Sequence, residues 1–218
     1  AQTLIDAGVV GIAGAACSGA TLGAIEVAKT AGVPMVSYAS TSPAITSYDD
    51  GGYLFRVVPS DAQQGAALAD AYTASGYTNP AVIAMTNDYG AGFHAAFLDN
   101  WDGDVCVEST YDDDTTDFTS QVAAVAENGC DSVVMVTYAS DGAAIVEEIA
   151  TQGLGVAIFG GDGIADVSFG DAFTDINAIS GITATKPASG DASELSTLFG
   201  VFYEAAATAA SFEGGIYT

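Results

Sequence analysis

The chain has 218 residues, half of them apolar, and a mean hydropathy of +0.35, so it can bury a sizeable core and is not intrinsically disordered. Its charge is one-sided, because 28 acidic residues face only three basic ones, Lys29, Arg56 and Lys186, and the formal net charge is −25. A charge of this size repels phosphate backbones and anionic lipid headgroups, which argues against nucleic acid as a partner.

The acidic surface fits two habitats. Self-repulsion destabilises a compact chain unless salt screens it, so the chain suits either an extracytoplasmic protein or a protein from a salt-rich environment. The longest acidic segment, residues 112–117, lacks the alternating spacing and the glycine of a calcium-binding loop. We interpret it as a solvated turn and expect neither a metal nor a cofactor.

Short β-rich runs alternate along the chain with longer stretches of helical period. The predicted strands cover residues 9–12, 34–37, 53–58, 81–85, 105–109, 132–137, 156–159 and 179–185. The predicted helices cover residues 21–31, 61–75, 92–100, 118–128, 141–152 and 193–210. Asp61 and Ser140 are the expected N-caps of two of them, and residues 39–48 are an expected loop. This alternation predicts an α/β fold with parallel sheets.

Prolines after two predicted strands indicate crossings between two lobes. Pro59 and Pro187 each lead into a new series of elements. They predict a first lobe of residues 1–58 plus 188–218, with two or three strands, and a nearly complete second lobe of residues 59–187. Because two or three strands are too few for an independent covered sheet, and the chain opens without an initiator Met or a basic signal segment, we expect a two-lobed protein that is incomplete at both ends.

The chain has three cysteines, Cys17, Cys106 and Cys130. Cys106 lies in one strand-like run and Cys130 just before the next. A disulfide between them is one interpretation, and two buried, unreactive thiols are the other. The odd number leaves one thiol free or paired outside the chain.

Sequence signatures of enzymes are missing. The single histidine, His94, lies in a predicted helix between Phe93 and Phe97, with no nucleophile at a suitable spacing. No Gly-x-Ser-x-Gly elbow, phosphate-binding loop or dinucleotide fingerprint occurs. We interpret His94 as a structural or surface residue and expect the chain not to be an enzyme.

Ligand binding at the carboxyl ends of the strands is the remaining interpretation, because open α/β sheets bind ligands there. In the first lobe these ends carry Ser18 at a helix start and the loop Ala39-Ser40-Thr41, whose hydroxyls and free N–H groups suit a carboxylate. In the second lobe they carry Tyr89, Tyr138 and Asp162, which suit an ammonium through cation–π contact and an ion pair. The two sets together match a zwitterion.

Each of these residues also has a plainer interpretation. Ser18 can be a helix N-cap, and Asp162 can be a turn former between glycines. Tyr89 and Tyr138 can be tyrosines at the edge of the core. Each plainer interpretation explains a single residue, whereas binding of a zwitterion explains all of them together.

Several segments carry a resemblance to a known family. They are Cys17-Ser18 through residues 39–43 to Thr46, Phe55-Arg56 with residues 59–65, and residues 87–90, 131–138 and 153–163. In order and spacing they resemble the periplasmic leucine/isoleucine/valine-binding proteins, the branched-chain amino-acid-binding class of type I solute-binding proteins of ABC transporters. The resemblance covers essentially the whole chain.

The resemblance implies the type I periplasmic-binding-protein fold, two Rossmann-like lobes that close on an amino acid. It implies that Ser18, Ala39 and Thr41 hold the α-carboxylate and part of the ammonium. It further implies that two aromatic residues, Tyr89 and Tyr138, and an acidic residue at position 162 close over the ligand from the second lobe. The family usually has Glu at that position, so Asp reaches the ammonium with one methylene less.

The resemblance also implies an extracytoplasmic location, a membrane ABC permease as partner, and a partner cysteine for Cys17 in a preceding segment. We therefore expect a protein that captures an amino acid or a similar small zwitterion for uptake, without making or breaking a bond. A ligand-sensing domain and an extracellular structural subunit that reuses the fold are the alternatives.

Overall fold

The computed structural model describes residues 1–188 together with residues 197, 198, 201 and 202. By its internal contacts the chain divides into two units, Ala1–Lys186 and Pro187–Thr218, and both β-sheets belong to the first. The predicted α/β fold is confirmed, because strands and helices alternate and every strand pair among these described residues is parallel. The predicted helix at 193–210 lies outside the described residues except at those last four positions, which are helical.

The first sheet has three strands in the order of the chain. They are β1 (Ile12–Ala13), β2 (Met35–Ser37) and β3 (Leu54–Arg56). The helices of this part are α1 (Gln2–Asp6), α2 (Ser18–Ala31) and α3 (Pro43–Ser47). Ile12 pairs with Met35, and Met35 with Leu54, so the three strands end at one edge, from which the loops to the next elements leave.

The second sheet has five strands in the spatial order β5-β4-β6-β7-β8. They are β4 (Pro80–Met85), β5 (Val107–Tyr111), β6 (Ser132–Val136), β7 (Ala157–Gly160) and β8 (Thr183–Ala184). The helices are α4 (Asp61–Ser75), α5 (Asp88–Leu98), α6 (Thr119–Asn128), α7 (Ala139–Thr151) and α8 (Val167–Asp171), with 3-10 turns at Asp162–Ile164 and Ile176–Ile179. This order creates a switch point between β4 and β6, the place where doubly wound sheets bind ligands. None of the helices in the described part of the chain is long and apolar enough to cross a membrane.

Apolar residues at successive positions bury the second sheet on both faces. In β4, Ile83 and Met85 belong to one core cluster, whereas Val82 and Ala84 belong to the other. The strand β6 alternates between the same two clusters. Burial on both faces is typical of parallel sheets, and it explains why these runs are continuously apolar.

The first sheet is packed differently on its two faces. Met35 and Leu54 pack with Ile25 of α2 and Ile45 of α3 on one face. On the other face, Phe55 keeps 55% of its surface exposed. The strands of this sheet fall within residues 1–58 and those of the second within 59–187, while the division of the chain into lobes stays a prediction.

The predicted caps of two helices, α4 and α7, were wrong, and α2 and α5 begin earlier than predicted, α2 at Ser18 rather than Thr21. Ser60, not Asp61, caps α4, since its hydroxyl accepts a hydrogen bond from the Ala62 N–H, and the acidic residue is the first of the helix. The helix α7 has Tyr138 at its N-cap position and no side-chain cap, so Ser140 lies inside it. The helix α5 begins at residue 88 rather than 92, because the Asn87 side chain caps it by accepting from the Gly90 N–H at 2.9 Å.

Strand and loop boundaries also moved. The first strand lies at 12–13 rather than 9–12, and the last shortens to two residues after a 3-10 turn. The fifth starts at Val107 rather than 105, where its pairing with Ala81 of β4 begins. The expected loop at 39–48 contains α3, because Ser42 caps it and Pro43 suits its first position.

Of the two interpretations of Cys106 and Cys130, the structure supports the disulfide. Cys106 and Cys130 are bonded, with their Cα atoms 5.6 Å apart, and they join the segments that lead into β5 and β6. Cys17 is exposed and forms no disulfide.

Candidate ligand-binding site

A cavity of about 160 Å³ lies at the carboxyl ends of strands from both sheets. It is lined by residues that follow β1 and β2 on one side and β4, β6 and β7 on the other: Ala16, Cys17, Ser18, Ala39, Thr41, Tyr89, Tyr138 and Asp162. Six of the seven predicted site residues are therefore brought together. The seventh, Ser40, is fully buried and does not line the cavity.

Ser18 lies where α2 begins, after β1. Cys17 occupies the N-cap position without a side-chain cap, so the interpretation of Ser18 as the cap is wrong. The Ser18 Oγ accepts a hydrogen bond from the Ser42 N–H at 3.1 Å, which leaves its own O–H proton to donate. The first N–H groups of a helix also lack partners within it, so this wall of the cavity presents hydrogen-bond donors.

Arg56 holds the loop that places Thr41 at the cavity. Its Nη1 donates to the carbonyl oxygens of Thr41 at 3.2 Å and Ser42 at 2.9 Å, and its Nη2 donates to the Thr46 hydroxyl. The Asp61 N–H donates to the same Thr41 carbonyl at 2.8 Å. The Arg56 guanidinium thus lies behind the wall of hydrogen-bond donors, here called the donor wall, where its positive charge favours the binding of an anion.

The opposite wall is made by two tyrosines and a carboxylate. The rings of Tyr89 and Tyr138 stack with centroids 5.3 Å apart. The Tyr89 hydroxyl donates to Asp162 Oδ1 at 2.9 Å, and Gln64 Nε2 donates to the same oxygen at 3.1 Å. Burial raises the pKa of Asp162, although these hydrogen bonds oppose the shift. The Asp162 carboxylate lines the cavity between these partners and the opposite wall.

Gly163 allows Asp162 to reach this position. A Cβ at Gly163 would lie 2.1 Å from the carbonyl oxygen of Thr137, so no side chain fits between this turn and the end of β6. The Gly163 N–H donates to the Tyr89 hydroxyl at 3.2 Å. The glycines around Asp162 therefore bring the carboxylate against the tyrosine rather than merely permitting a turn.

Asp61 is the acidic residue that sequence reasoning missed. Its side chain is fully buried, and neither carboxylate oxygen has a hydrogen-bond partner among the described residues. Burial raises its pKa to about 7, the Thr41 hydroxyl and Arg56 oppose the shift, and Asp162 adds to it. An acidic residue at the start of a helix ordinarily caps it or interacts with the helix dipole. The residue type and position of Asp61 therefore did not indicate that its side chain would be buried.

Cys17 is a second residue that was not expected at the site. It lines the cavity beside Ser18, and its thiol faces the Tyr138 hydroxyl from the other wall. Burial, together with this thiol, raises the pKa of Tyr138. Cys17 and Tyr138 thus lie close together on opposite walls of the cavity.

The cavity thus has one wall of hydrogen-bond donors, with the Arg56 guanidinium behind it, and one wall of two aromatic rings and a carboxylate. Such a pair of walls complements a molecule with an anionic and a cationic end. Within residues 1–188, the stretch that the structure describes continuously, no three His, Cys, Asp or Glu side chains are grouped so that they could hold a metal ion.

Comparison with known families and structures points to ligand-binding proteins. A family model described as the receptor family ligand binding region matches residues 1–212. The chain is similar to the branched-chain amino acid transporter substrate binding protein LivJ from Streptococcus pneumoniae, solved in complex with isoleucine. The TM-score is 0.71 and the identity 25%, over 79% of this chain and 50% of that one.

Two further solved structures and one receptor sequence are also similar to the chain. A leucine binding protein, LivK, from Thermotoga maritima superposes with a TM-score of 0.79 and 24% identity, over 94% of this chain and 59% of that one. Together with a periplasmic binding protein type 1 from Bordetella pertussis (TM-score 0.70, 18% identity, 81% of this chain and 50% of that one), it confirms the expected type I fold. Human metabotropic glutamate receptor 8 is 31% identical over 101 residues, 45% of this chain and 11% of the receptor. The chain thus spans about a tenth of the curated receptors that it matches.

Proposed function

Because the chain belongs to the receptor family ligand binding region, we propose that it binds an amino acid or a similar small zwitterion in the cavity between its two sheets. The observation that carries this proposal is the meeting of a donor wall and a carboxylate wall across about 160 Å³. Sites for drug-sized ligands enclose roughly 300–1,000 Å³, so a smaller cavity favours a ligand of few atoms.

The two walls suggest how the ligand lies. Its carboxylate accepts hydrogen bonds from the Ser18 hydroxyl, the first N–H groups of α2 and the loop that holds Thr41. Its ammonium faces the Asp162 carboxylate, with Asp61 behind and the Tyr89 ring beside it. Ala39 lines the cavity next to Thr41 and leaves room for the ligand.

We propose that the whole protein is an extracytoplasmic solute-binding protein that delivers its ligand to a membrane ABC permease and catalyses no reaction. The disulfide between Cys106 and Cys130 supports an oxidising compartment. The solved relative LivJ, a branched-chain amino acid transporter substrate binding protein in complex with isoleucine, supports the ligand class. Contacts with both walls exist only when the walls are close, so ligand binding favours a closed form.

A ligand-sensing domain is the second candidate. The similarity to metabotropic glutamate receptors over 101 residues favours it, since those proteins are receptors rather than transport components. Sensing and transport share the binding step, and they differ in the partner that recognises the closed form. Co-purification of a permease with the ligand-loaded protein would favour transport.

The binding step is tested by a thermal-shift screen of the natural full-length protein against the common amino acids in concentrated KCl. A ligand at about 100 times its Kd stabilises a protein by roughly 2.7 kcal/mol, which raises the unfolding temperature by several degrees. Asp162→Asn and Tyr138→Ala should abolish the shift, because each removes part of the ammonium wall.

Asp171→Asn is the matched control, since Asp171 is exposed at the end of α8 and away from the cavity. A shift retained by Asp162→Asn would contradict the proposed orientation. A screen without any shift, on folded protein, would contradict amino acids as the ligands.

A further inference from the structure

Three buried hydroxyl groups surround the backbone just before the cavity. Ser37 Oγ donates to the Ala15 carbonyl oxygen at 2.6 Å, and the Ser40 N–H donates to Ser37 Oγ at 3.0 Å. Ser40 Oγ lies 3.0 Å from the Ala16 carbonyl oxygen and 2.8 Å from Thr21 Oγ1. Thr21 Oγ1 accepts from the Ala15 N–H at 3.1 Å. All three hydroxyl side chains are fully buried.

One arrangement of the three hydroxyl protons satisfies the close contacts together. Thr21 accepts from the Ala15 N–H and donates to Ser40, and Ser40 donates to the Ala16 carbonyl. Ser37 donates to the Ala15 carbonyl and accepts from the Ser40 N–H. The network ties the end of β2 to the residues that follow β1.

The backbone held in this way leads directly into the donor wall of the cavity. Ala16, Cys17 and Ser18 line the cavity, and α2 starts there without a side-chain cap of its own. Ser40 does not reach the cavity, so it acts on the ligand only through this backbone. A hydroxyl without a partner at such depth is costly, and a core that needed only apolar packing would not contain three of them.

We propose that Ser37, Ser40 and Thr21 are positioning residues that set the direction of the carboxylate-binding N–H groups and the Ser18 hydroxyl. This inference rests on the proposed function and assigns Ser40 a different role from the ligand contact expected from the sequence. The network fixes the donors that meet the ligand's carboxylate and leaves the ammonium wall untouched.

The test compares L-isoleucine with L-isoleucinamide, which lacks the negative carboxylate, by calorimetric titration and competition on the full-length protein. Ser40→Ala should weaken binding of isoleucine about tenfold, as loss of one well-aligned charge-assisted hydrogen bond does, and that of the amide less than about twofold. Thr21→Val should have the same effect. Thr21→Ser, which keeps the hydroxyl, should restore the ratio of the affinities for isoleucine and isoleucinamide. The two variants at Thr21 keep the test valid should Ser40→Ala fail to fold.

Ser132→Ala is the matched control. Ser132 is also fully buried in a hydroxyl network, 2.6 Å from the Tyr72 hydroxyl, but it lies at the other end of β6. This variant should lower stability without changing the ratio of the two affinities. Equal weakening of both ligands by Ser40→Ala and Thr21→Val, or none, would overturn the inference while the proposed function stands. Absence of isoleucine binding to the unmodified protein, and of any other amino acid, would overturn both.

Discussion

Asp61 links the proposed ligand to pH at the scale of a single residue. Its carboxyl group is buried with no well-formed hydrogen bond from the described residues, and its pKa is raised from 3.8 to about 7. The charged form of Asp61 is therefore unfavourable in the ligand-free protein, and an ammonium held at the neighbouring Asp162, whose charge adds to the shift, would make it less so. Ligand binding should consequently release a proton near neutral pH.

Affinity for an amino acid should fall as the pH is lowered through about 7, because protonation removes the charge that attracts the ammonium. A single group with this pKa weakens binding about tenfold between pH 8 and pH 6. Calorimetric titration across this range measures the effect. Asp61→Asn should bind more weakly and flatten the profile, whereas Asp171→Asn should keep it. An unchanged slope in Asp61→Asn would assign the proton to another group.

At the scale of elements, α5 connects the two halves of the site. Its first turn carries Tyr89 into the cavity, while further along it a Cβ at Gly92 would lie 2.9 Å from both the Pro43 ring and the Ser42 hydroxyl. The helix therefore approaches α3 as closely as a residue without a side chain permits. The proximity of the walls depends on that approach.

Gly92→Ala should weaken ligand binding several-fold, because the added methyl group pushes α5 away from α3 and separates the two walls. The substitution would otherwise favour the helix by up to about 1 kcal/mol. Gly23→Ala in α2 is the matched control, since its Cβ would meet nothing within 4 Å. Calorimetric titration should show full affinity for Gly23→Ala, and equal affinities for the two variants would contradict the close approach as a determinant of binding.

The disulfide provides another prediction at this scale. It closes a loop of sequence separation 24, and chain entropy for a loop of that length corresponds to about 3 kcal/mol. Replacing Cys106 and Cys130 together by Ala should lower the free energy of unfolding by about this amount, as measured by urea denaturation. Cys17→Ala is the control and should leave stability nearly unchanged.

Much of the site followed from the order of elements along the chain. Tyr89, Tyr138 and Asp162 could be placed together because they follow parallel strands, whose carboxyl ends share one edge. Ser40, expected as a ligand contact, does not line the cavity, because neighbouring loop residues differ in direction and the sequence does not reveal which of them faces it. Asp61 was missed for the related reason that burial at a helix start depends on distant residues, here Thr41 and Asp162.

At the scale of the whole molecule, the charge of −25 should make stability depend on salt. Raising the ionic strength from about 0.01 M to 1 M shortens the Debye length from about 30 Å to 3 Å, which screens repulsion between exposed carboxylates. The unfolding temperature should therefore rise steadily with NaCl and equally with KCl, as followed by circular dichroism. An uncharged osmolyte at matched osmolality is the control. A flat response to salt would show that the carboxylates are too far apart to destabilise the fold.

The exposed face of the first sheet gives that charge a second role. This face exposes three apolar side chains, Val36, Phe55 and Val57, which keep 42%, 55% and 65% of their surface exposed. It can therefore associate with other apolar surfaces. Mutual repulsion between like-charged molecules holds such faces apart in solution. As the pH approaches the isoelectric point of about 4.1, that repulsion vanishes and molecules can meet face to face. Colloidal solubility thus depends on the same carboxylates whose mutual repulsion destabilises the fold. Acidification should therefore precipitate the protein while it is still folded.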